Sequence, residues 1–479
     1  MLQEIDSFIE KNGKNILSDL TELISKRSVK GPAEKNAPFG PGPRSALDTA
    51  LSIAKRLGLS VDDGDGYVGW GEIPGGKDHI AVIAHLDVIP EGEGWNSDPY
   101  VLTEKEGWLI GRGISDNKGA VVVSLYAAAF FTSLACADKP LKHGIRVLMG
   151  CDEESGMHDV SYYLSHNPEP IFCFTPDVDF PVSVGEKGIH SGGVFVSAPV
   201  FTNISSFSGG IANNAIPGRA SCVVRAQGHG KHGKHGKHEK SFKETKGITV
   251  FPQKDGSFLI EAQGIGGHAA HPEGKVNAIG ILTDFLLDNE IGDADERLFL
   301  ELMRKIHSNS YGEGLGIACT GKLLGQLTSI GGVVSQENGV VRQDMNIRYP
   351  EVISDEEITE SLSKIAIAHN ARFVEGEIMK PFYISPDSPP IEVLLSAYKE
   401  VSGHPAEPYT MCGGTYARRF KNAVGFGLGD EFTQRPSFVA ADHAPNEASY
   451  FPSFKEALKI FILALWRLQE LSSEDLGKR

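Results

Sequence analysis

Between Ala120 and Ala137 the chain reads AVVVSLYAAAFFTSLACA, with no charged residue throughout. Such a run is close to membrane-spanning length, so it either crosses a bilayer or is buried on every side in a large core. It follows directly on the polar turn GRGISDNKGA, and no second run of the kind exists. The pattern therefore predicts a buried helix over 119–137. Its neighbours agree. HIAVIAHLDVI (79–89), the start of GIRVLMGCDEESG (144–156) and the start of IFCFTPDVDFPVSV (171–184) are apolar runs of strand length, with a further helix expected near 159–165. Strands alternating with helices imply an α/β fold, a mostly parallel sheet with helices on both faces. In such sheets the chemistry sits at the carboxyl ends of the strands.

After about residue 188 the texture changes. SGGVFVSAPV, RASCVVRAQ, GSFLIEAQGIGG and VVRQDMNIRYP alternate as half-buried strands do, and 276–289 and 356–370 read as helices. The buried α/β texture returns near 386 and ends in a helix around SFKEALKIFILALWRLQELS. The expected plan is a catalytic domain split in sequence (1–187 and 385–479) by an α+β lid domain at 188–384. The first residues, MLQEIDSFIEKNGKNIL, lack the basic and apolar regions of a secretory signal. They read as an amphipathic helix with Ile5, Phe8, Ile9 and Ile16 on one side.

Charge and cysteines narrow the function classes. With 46 basic and 62 acidic side chains the formal charge is −16, which opposes binding to nucleic acid. Cys136, Cys151, Cys173, Cys222, Cys319 and Cys412 are scattered, which fits reduced thiols in the cytoplasm rather than a disulfide scaffold or a cysteine zinc site. The tract GHGKHGKHGKHEK carries histidines at 229, 232, 235 and 238. It reads as a solvated loop able to bind metal only adventitiously.

Five places put metal-competent side chains at or just beyond predicted strand ends: His85-Leu86-Asp87, Asp116, Asp152-Glu153-Glu154, Asp177 and His443. Taken singly, each is weak, and the first three have structural readings: a core histidine, a helix N-cap, an acidic solvated loop. Three adjacent carboxylates beside an apolar strand end repel one another unless cations neutralise them. Together the five give a mixed nitrogen and oxygen donor set suited to zinc or a similar divalent ion. A pair of such ions, roughly 3.5–4 Å apart, polarises a carbonyl and activates water, and one nearby carboxylate must stay unligated as the base.

The ordered set H-x-D, S-D-N-K-G, D-E-E-S-G, T-P-D and a late D-H resembles the aminoacylase/carboxypeptidase family of metallopeptidases, peptidase family M-twenty. The resemblance covers most of the chain, and the long insert makes it most similar to the peptidase V-type, carnosinase-like dipeptidases. It implies two divalent ions, zinc with manganese or cobalt as alternatives. His85 and Asp177 would hold one and Glu154 and His443 the other, with Asp116 bridging. Glu153 would be the general base and Asp87 would orient His85. The family also carries a cis peptide after its bridging aspartate, here Asp116–Asn117.

In the insert, the family spacing of His, Pro four later and Asn five after that falls on His268, Pro272 and Asn277. His268 would then donate to the developing oxyanion, with His271 the competing choice. Asn214, with Asn213 as alternative, and Arg348 resemble substrate-binding residues. Arg348 would clasp a substrate carboxylate, a task that suits the guanidinium fork. The loop TMCGGTYARRF resembles a glycine-rich loop whose Gly413, Gly414 and Thr415 meet the substrate, although Cys412 stands where relatives often have glycine. The activity implied is hydrolysis of dipeptides with a free C-terminal carboxylate through a metal-bridging hydroxide. The rivals are an N-acyl amino acid deacylase or carboxypeptidase on the same scaffold, and a catalytically inactive metal-binding protein. The expected partner is a small peptide substrate, with no nucleic acid and no membrane, and the long insert favours a monomer over a homodimer.

Overall fold

The apolar run lies in a helix whose residues from Ala120 to Phe131 are buried on every side. In a computed structural model that describes residues 1–135, 140–225 and 242–478, it spans Lys118–Ala135. Val121, Val122, Val123, Leu125 and Phe131 are buried, each contributing about 1.5–3 kcal/mol by leaving water. The helix needs apolar side chains around its whole circumference because it packs both on strands and on other helices. Among the described residues no helix is long and apolar enough to cross a membrane. Cys136 and the histidine tract lie outside the described residues.

The chain divides into two units. The first takes in Met1–Gly185, Tyr383–Thr410 and Gly414–Arg479; the second takes in Glu186–Phe382 and Met411–Gly413. Elements of the first unit are labelled in chain order. Its principal helices are α1 (Leu2–Ile24), α2 (Pro41–Arg56), α3 (Lys118–Ala135), α4 (His158–His166), α5 (Pro389–Ser402) and α6 (Phe451–Leu468). Its principal strands are β1 (Ser60–Asp62), β2 (Val68–Ile73), β3 (His79–His85), β4 (Gly144–Gly150), β5 (Phe172–Thr175), β6 (Ser183–Glu186) and β7 (Ala423–Gly425).

The sheet of this unit runs β1-β2-β4-β3-β5-β7-β6 and continues into Phe382–Tyr383. Strands β4, β3, β5 and β7 are mutually parallel. The margins are antiparallel, where β1 meets β2, β2 meets β4 and β6 meets β7. The fold is α/β, with a parallel centre and antiparallel edges. Helix α3 rests on β3 and β4 and is flanked by α1 and α6, while α2 and α4 pack on β2. Ile80 to Ala84 of β3 are fully buried, as a strand covered on both faces requires.

Register then decides where the chemistry goes. His85 at the end of β3 lies opposite Gly150 at the end of β4, and Val82 lies opposite Phe174 of β5. The three strands therefore end nearly level, and the residues just beyond them gather at one edge. Gly150 lets Tyr416 approach the end of β4: a Cβ there would come 2.0 Å from the Tyr416 hydroxyl oxygen.

The second unit is built on a ten-stranded sheet. Gly188–Ser197 pairs antiparallel with Val340–Tyr349, with a bulge between Ser191 and Gly193. Helices Ala278–Asp288, Ala294–Ile306 and Asp355–Ala368 supply Leu282, Phe285, Phe299, Met303, Ile358 and Leu362 to its core. Two of them start with capping boxes, Asp293 with Glu296 and Ser354 with Glu357, which satisfy their first N–H groups.

Candidate metal centre

Six side chains from the strand ends and two long loops converge within the first unit. They form two groups: His85, Glu153 and Asp177, and Asp116, Glu154 and His443. In each group one potential ligand atom per residue lies within 4.8 Å of the others. Asp116 touches both. Its Oδ1 is 2.8 Å from His85 Nε2 and its Oδ2 is 2.7 Å from His443 Nε2. The Asp116–Asn117 peptide is cis.

The ring of His85 tells what lies between these groups. Its Nδ1 is 2.9 Å from the carbonyl oxygen of Asp87. A carbonyl only accepts, so Nδ1 carries the proton and Nε2 presents a lone pair. That Nε2 is buried and makes no aligned hydrogen bond. It faces Asp116 Oδ1 and, at 3.7 Å, Asp177 Oδ2. A lone pair set against carboxylate oxygens is repulsive unless a cation or a second proton sits among them. Burial opposes charge on this ring, but Asp177 and Asp116 outweigh it and draw its pKa well above the ordinary histidine value. The field that attracts a proton here attracts a divalent ion more strongly, and the donor set fits one.

The acidic loop after β4 resolves its own repulsion by dividing labour. Asp152 turns away from the cluster. It is fully buried, holds Lys30 Nζ at 2.6 Å and accepts from Ser155 Oγ and the His158 main-chain N–H. Burial pushes its pKa up, yet Lys30, Ser155 and His158 together hold it below the usual value. Glu153 and Glu154 are left facing the histidines. Glu153 Oε1 is out of reach of solvent and has no hydrogen-bond partner. Burial, then Asp177, push the Glu153 pKa well above the ordinary range. Glu154 Oε1 is 3.2 Å from His443 Nε2. His443 is half-exposed, and its bonds to Asp116 and Glu154 lift its pKa to about 11.

Asp87 meets the His85 ring with its main-chain carbonyl rather than its carboxylate. Its Oδ1 is 3.6 Å from His85 Nδ1, too far for a hydrogen bond. The carboxylate instead accepts the main-chain N–H groups of Glu153 and Glu154, each at 3.1 Å. The Asp87 carbonyl fixes the ring and the Asp87 carboxylate fixes the acidic pair. Burial raises its pKa to about 7, despite the opposing pull of His85.

Three supporting residues escaped the sequence reading. Asn117 Nδ2 donates to Asp177 Oδ1 at 2.8 Å and to the Pro176 carbonyl at 3.1 Å, tying the start of α3 to the end of β5. Arg112 and Glu447 form a buried pair at 2.5 Å. Burial, then Asp116, raise the Glu447 pKa to about 7, although Arg112 opposes them. The available signal for Glu447 was its place in ADHAPNEASY, four residues after His443; nothing local indicated its partners.

The other expected site residues lie mostly in the second unit. Two short strands pair there, with Ala215 opposite His268, and the Asn214 carbonyl accepts the Ala269 N–H at 2.8 Å. Asn214 and His268 are thus brought together. His271 lies 6.2 Å from His268, ring centre to ring centre. Arg348 is nearly buried. Its Nε donates to Asn346 Oδ1 at 3.0 Å and its Nη1 to the Cys412 carbonyl at 3.2 Å. Asn346 and Asn213 both donate to Ser191 Oγ at 3.2 Å. Gly413 belongs to the second unit, and Gly414 and Thr415 to the first. The Thr415 hydroxyl caps a short turn by accepting the Ala417 N–H.

The sequence pattern of the peptidase family M20/M25/M40 matches residues 81–467. The chain belongs to this family. It is a metal-dependent peptidase. The Beta-Ala-Xaa dipeptidase of Lactobacillus delbrueckii subsp. lactis is 30% identical over 466 residues, covering 95% of this chain and 96% of that protein. Among solved structures, human carnosine dipeptidase 1 aligns with a TM-score of 0.58 at 16% identity, covering 98% of this chain and 99% of that one. The dipeptidase Dug1p of Saccharomyces cerevisiae gives 0.57 at 15% identity, with coverages of 98% and 99%. These two establish likeness of fold. Among the described residues Cys151, Cys173, Cys222, Cys319 and Cys412 are free thiols.

Proposed function

We propose that the protein is a two-metal dipeptidase acting on dipeptides with a free C-terminal carboxylate. The observation that carries this reading is Asp116, whose two oxygens face one histidine each at 2.8 and 2.7 Å. His85 and Asp177 would hold one ion, Glu154 and His443 the other, and Asp116 both. Zinc suits the nitrogen and oxygen donors, as do manganese and cobalt. When bound, the ions supply positive charge that polarises the scissile carbonyl and acidifies the attacking water.

The chain's own residues do the rest. Asp87 locks the His85 tautomer through its carbonyl and holds the main chain of Glu153 and Glu154 through its carboxylate. Glu153 is the base: its unpartnered Oε1 takes a proton as the water oxygen bonds to the carbonyl carbon. It returns that proton to the leaving amine as the C–N bond breaks. His268 donates to the developing oxyanion. Arg348, braced by Asn346 and the Cys412 carbonyl, is the proposed clasp for the substrate carboxylate, and Asn214, Gly413, Gly414 and Thr415 are the further proposed substrate-binding residues. The similarity to a Beta-Ala-Xaa dipeptidase makes β-alanyl dipeptides natural first substrates. We take the working form to be a monomer that meets its small peptide substrate in the reducing cytoplasm, which suits its free thiols.

The test is a side-by-side assay, after metal reconstitution, on a dipeptide, its C-terminal amide, a tripeptide and an N-acyl amino acid. The dipeptide is expected to be the best substrate, with amidation sharply lowering kcat/KM. Arg348→Ala should weaken dipeptide hydrolysis and shrink the gap between acid and amide; Arg348→Lys should restore it only in part, because an ammonium lacks the planar fork. Equal rates on acid and amide refute carboxylate anchoring. Preference for the N-acyl amino acid makes the protein a deacylase.

A further inference from the structure

We propose that Glu447 is a positioning residue for the metal centre, holding the Asp116 loop and the His443 loop in one register; this rests on the two-metal reading above. Its carboxylate is fully buried. Oε1 accepts three main-chain N–H groups, those of Gly113 at 3.0 Å, Ser115 at 2.9 Å and Asp116 at 3.1 Å. Oε2 takes Arg112 Nη1 at 2.5 Å. The Glu447 main chain adds a further tie, its carbonyl accepting the Gly111 N–H at 3.1 Å. Just beyond it, Ala448–Tyr450 pairs antiparallel with Trp108–Ile110. Arg112 is itself immobilised, with Nη2 on the Glu91 carbonyl at 3.3 Å and its guanidinium 5.2 Å from the Trp95 ring centre.

A turn needs no buried carboxylate merely to satisfy three N–H groups; a carbonyl or an amide oxygen would do so at less desolvation cost. What a carboxylate adds is one oxygen on which three donors converge, and a second that an arginine holds still. The last of those donors is the N–H of Asp116. The Asp116 side chain must present its two oxygens to histidines from opposite groups. His443 enters on the loop that carries Glu447, so one side chain fixes the spacing between a shared carboxylate and a histidine beside it. Outer partners of this kind typically govern metal affinity by 10–100-fold.

The experiment strips the full chain of metal and titrates it with cobalt(II), following uptake and the visible absorption band. E447Q keeps the size of the side chain but turns an N–H₂ or a weaker oxygen towards Arg112 and the loop. It is expected to bind cobalt 10–100-fold more weakly, with a shifted band and a lower kcat at nearly unchanged KM. Wild-type affinity and an unshifted band in folded E447Q overturn the inference. Should E447Q fail to fold by circular dichroism, E447D takes its place. It keeps the charge but is one methylene short of the three amides, and wild-type cobalt binding by E447D overturns the inference equally. Wild-type protein run alongside separates the two claims. Uptake of one equivalent instead of two refutes the two-ion reading, and Glu447 is then judged on that equivalent. No uptake refutes both.

Discussion

Glu153 and Glu154 are adjacent in sequence, yet their expected failures differ. In Glu153→Gln the side chain keeps its volume, and the main-chain bonds to Asp87 are untouched because they run through the N–H groups. What is lost is a proton acceptor whose Oε1 has no other partner. The loss should appear in kcat at about 10²–10⁴-fold, which is about 3–5 kcal/mol of transition-state stabilisation, with both ions retained. In Glu154→Gln the group of Asp116, Glu154 and His443 keeps a single carboxylate. A unit charge at contact distance is worth about 4 kcal/mol per unit of cation charge at an effective dielectric near 20. Even after desolvation offsets part of this, roughly 10³-fold in affinity for one ion should go. The assay pairs steady-state kinetics with metal analysis of the dialysed proteins. E153Q with two metal equivalents and little activity, beside E154Q with one equivalent, is the expected pattern. The reverse pattern, or near-full activity in E153Q, refutes the division of roles.

Chelation should abolish hydrolysis, and two divalent ions per chain should restore it; Asp116→Ala should lower metal content more than any other single ligand change, because both histidines face it. His268→Ala should lower kcat about 10²–10³-fold with metals retained, and mixing it with a Glu153→Gln chain should not restore activity, whereas rescue would show a shared site. The stability contributed by His79 and His307 should fall as pH drops from 6.5 towards 4. Burial holds His79 and His307 at pKa values of about 4, against 6.5 when unfolded. At these two sites the unfolded chain therefore binds more protons throughout that window, so their contribution to stability rises with pH across it, while the buried carboxylates Asp87 and Glu447, with pKa values raised to about 7, contribute with the opposite sign. His307→Gln should make the slope of unfolding free energy against pH less positive between pH 5 and 7 (measured by denaturant titration), and an unchanged slope would count against it.

The sequence was most legible where one physical demand dominated. A strand covered on both faces must be apolar throughout, so β3, β4 and β5 stand out, and the polar residues that interrupt them at His85, Asp152 and Asp177 mark the strand ends. Helix α3 announces itself for the same reason. Helix α2 does not: it opens PGPRSALD, a stretch whose Pro and Gly read as loop, although proline in the first turn suits a helix start. The antiparallel margins of the sheet were hidden because β1 is exposed and β2 is short, with glycines in it. Within the site, residue types were readable and their division of labour was not. That Asp87 uses its carbonyl for His85, that Asp152 turns to Lys30, and that Glu447 reaches residues 113–116 are consequences of long-range packing, which no local pattern encodes.

The interrupted layout of the first unit bears on how the protein is made. Strand β7 lies between β5 and β6 in the sheet, and His443 and helix α6 follow it in the chain. On a ribosome adding about 5–20 residues per second, the interval between the emergence of Thr175 and that of Ala423 is on the order of 10–50 s. Through that interval the nascent first unit has an open seam where β7 belongs and an acidic cluster with half its histidines missing. The second unit, whose main body is the unbroken stretch Glu186–Phe382, is free to mature in the meantime. The last part of the chain is thus both the keystone of the sheet and the late partner of the metal centre. Termination before Ala423 should yield a protein that is folded in its middle, open in its first unit and lacking His443 for its metal centre.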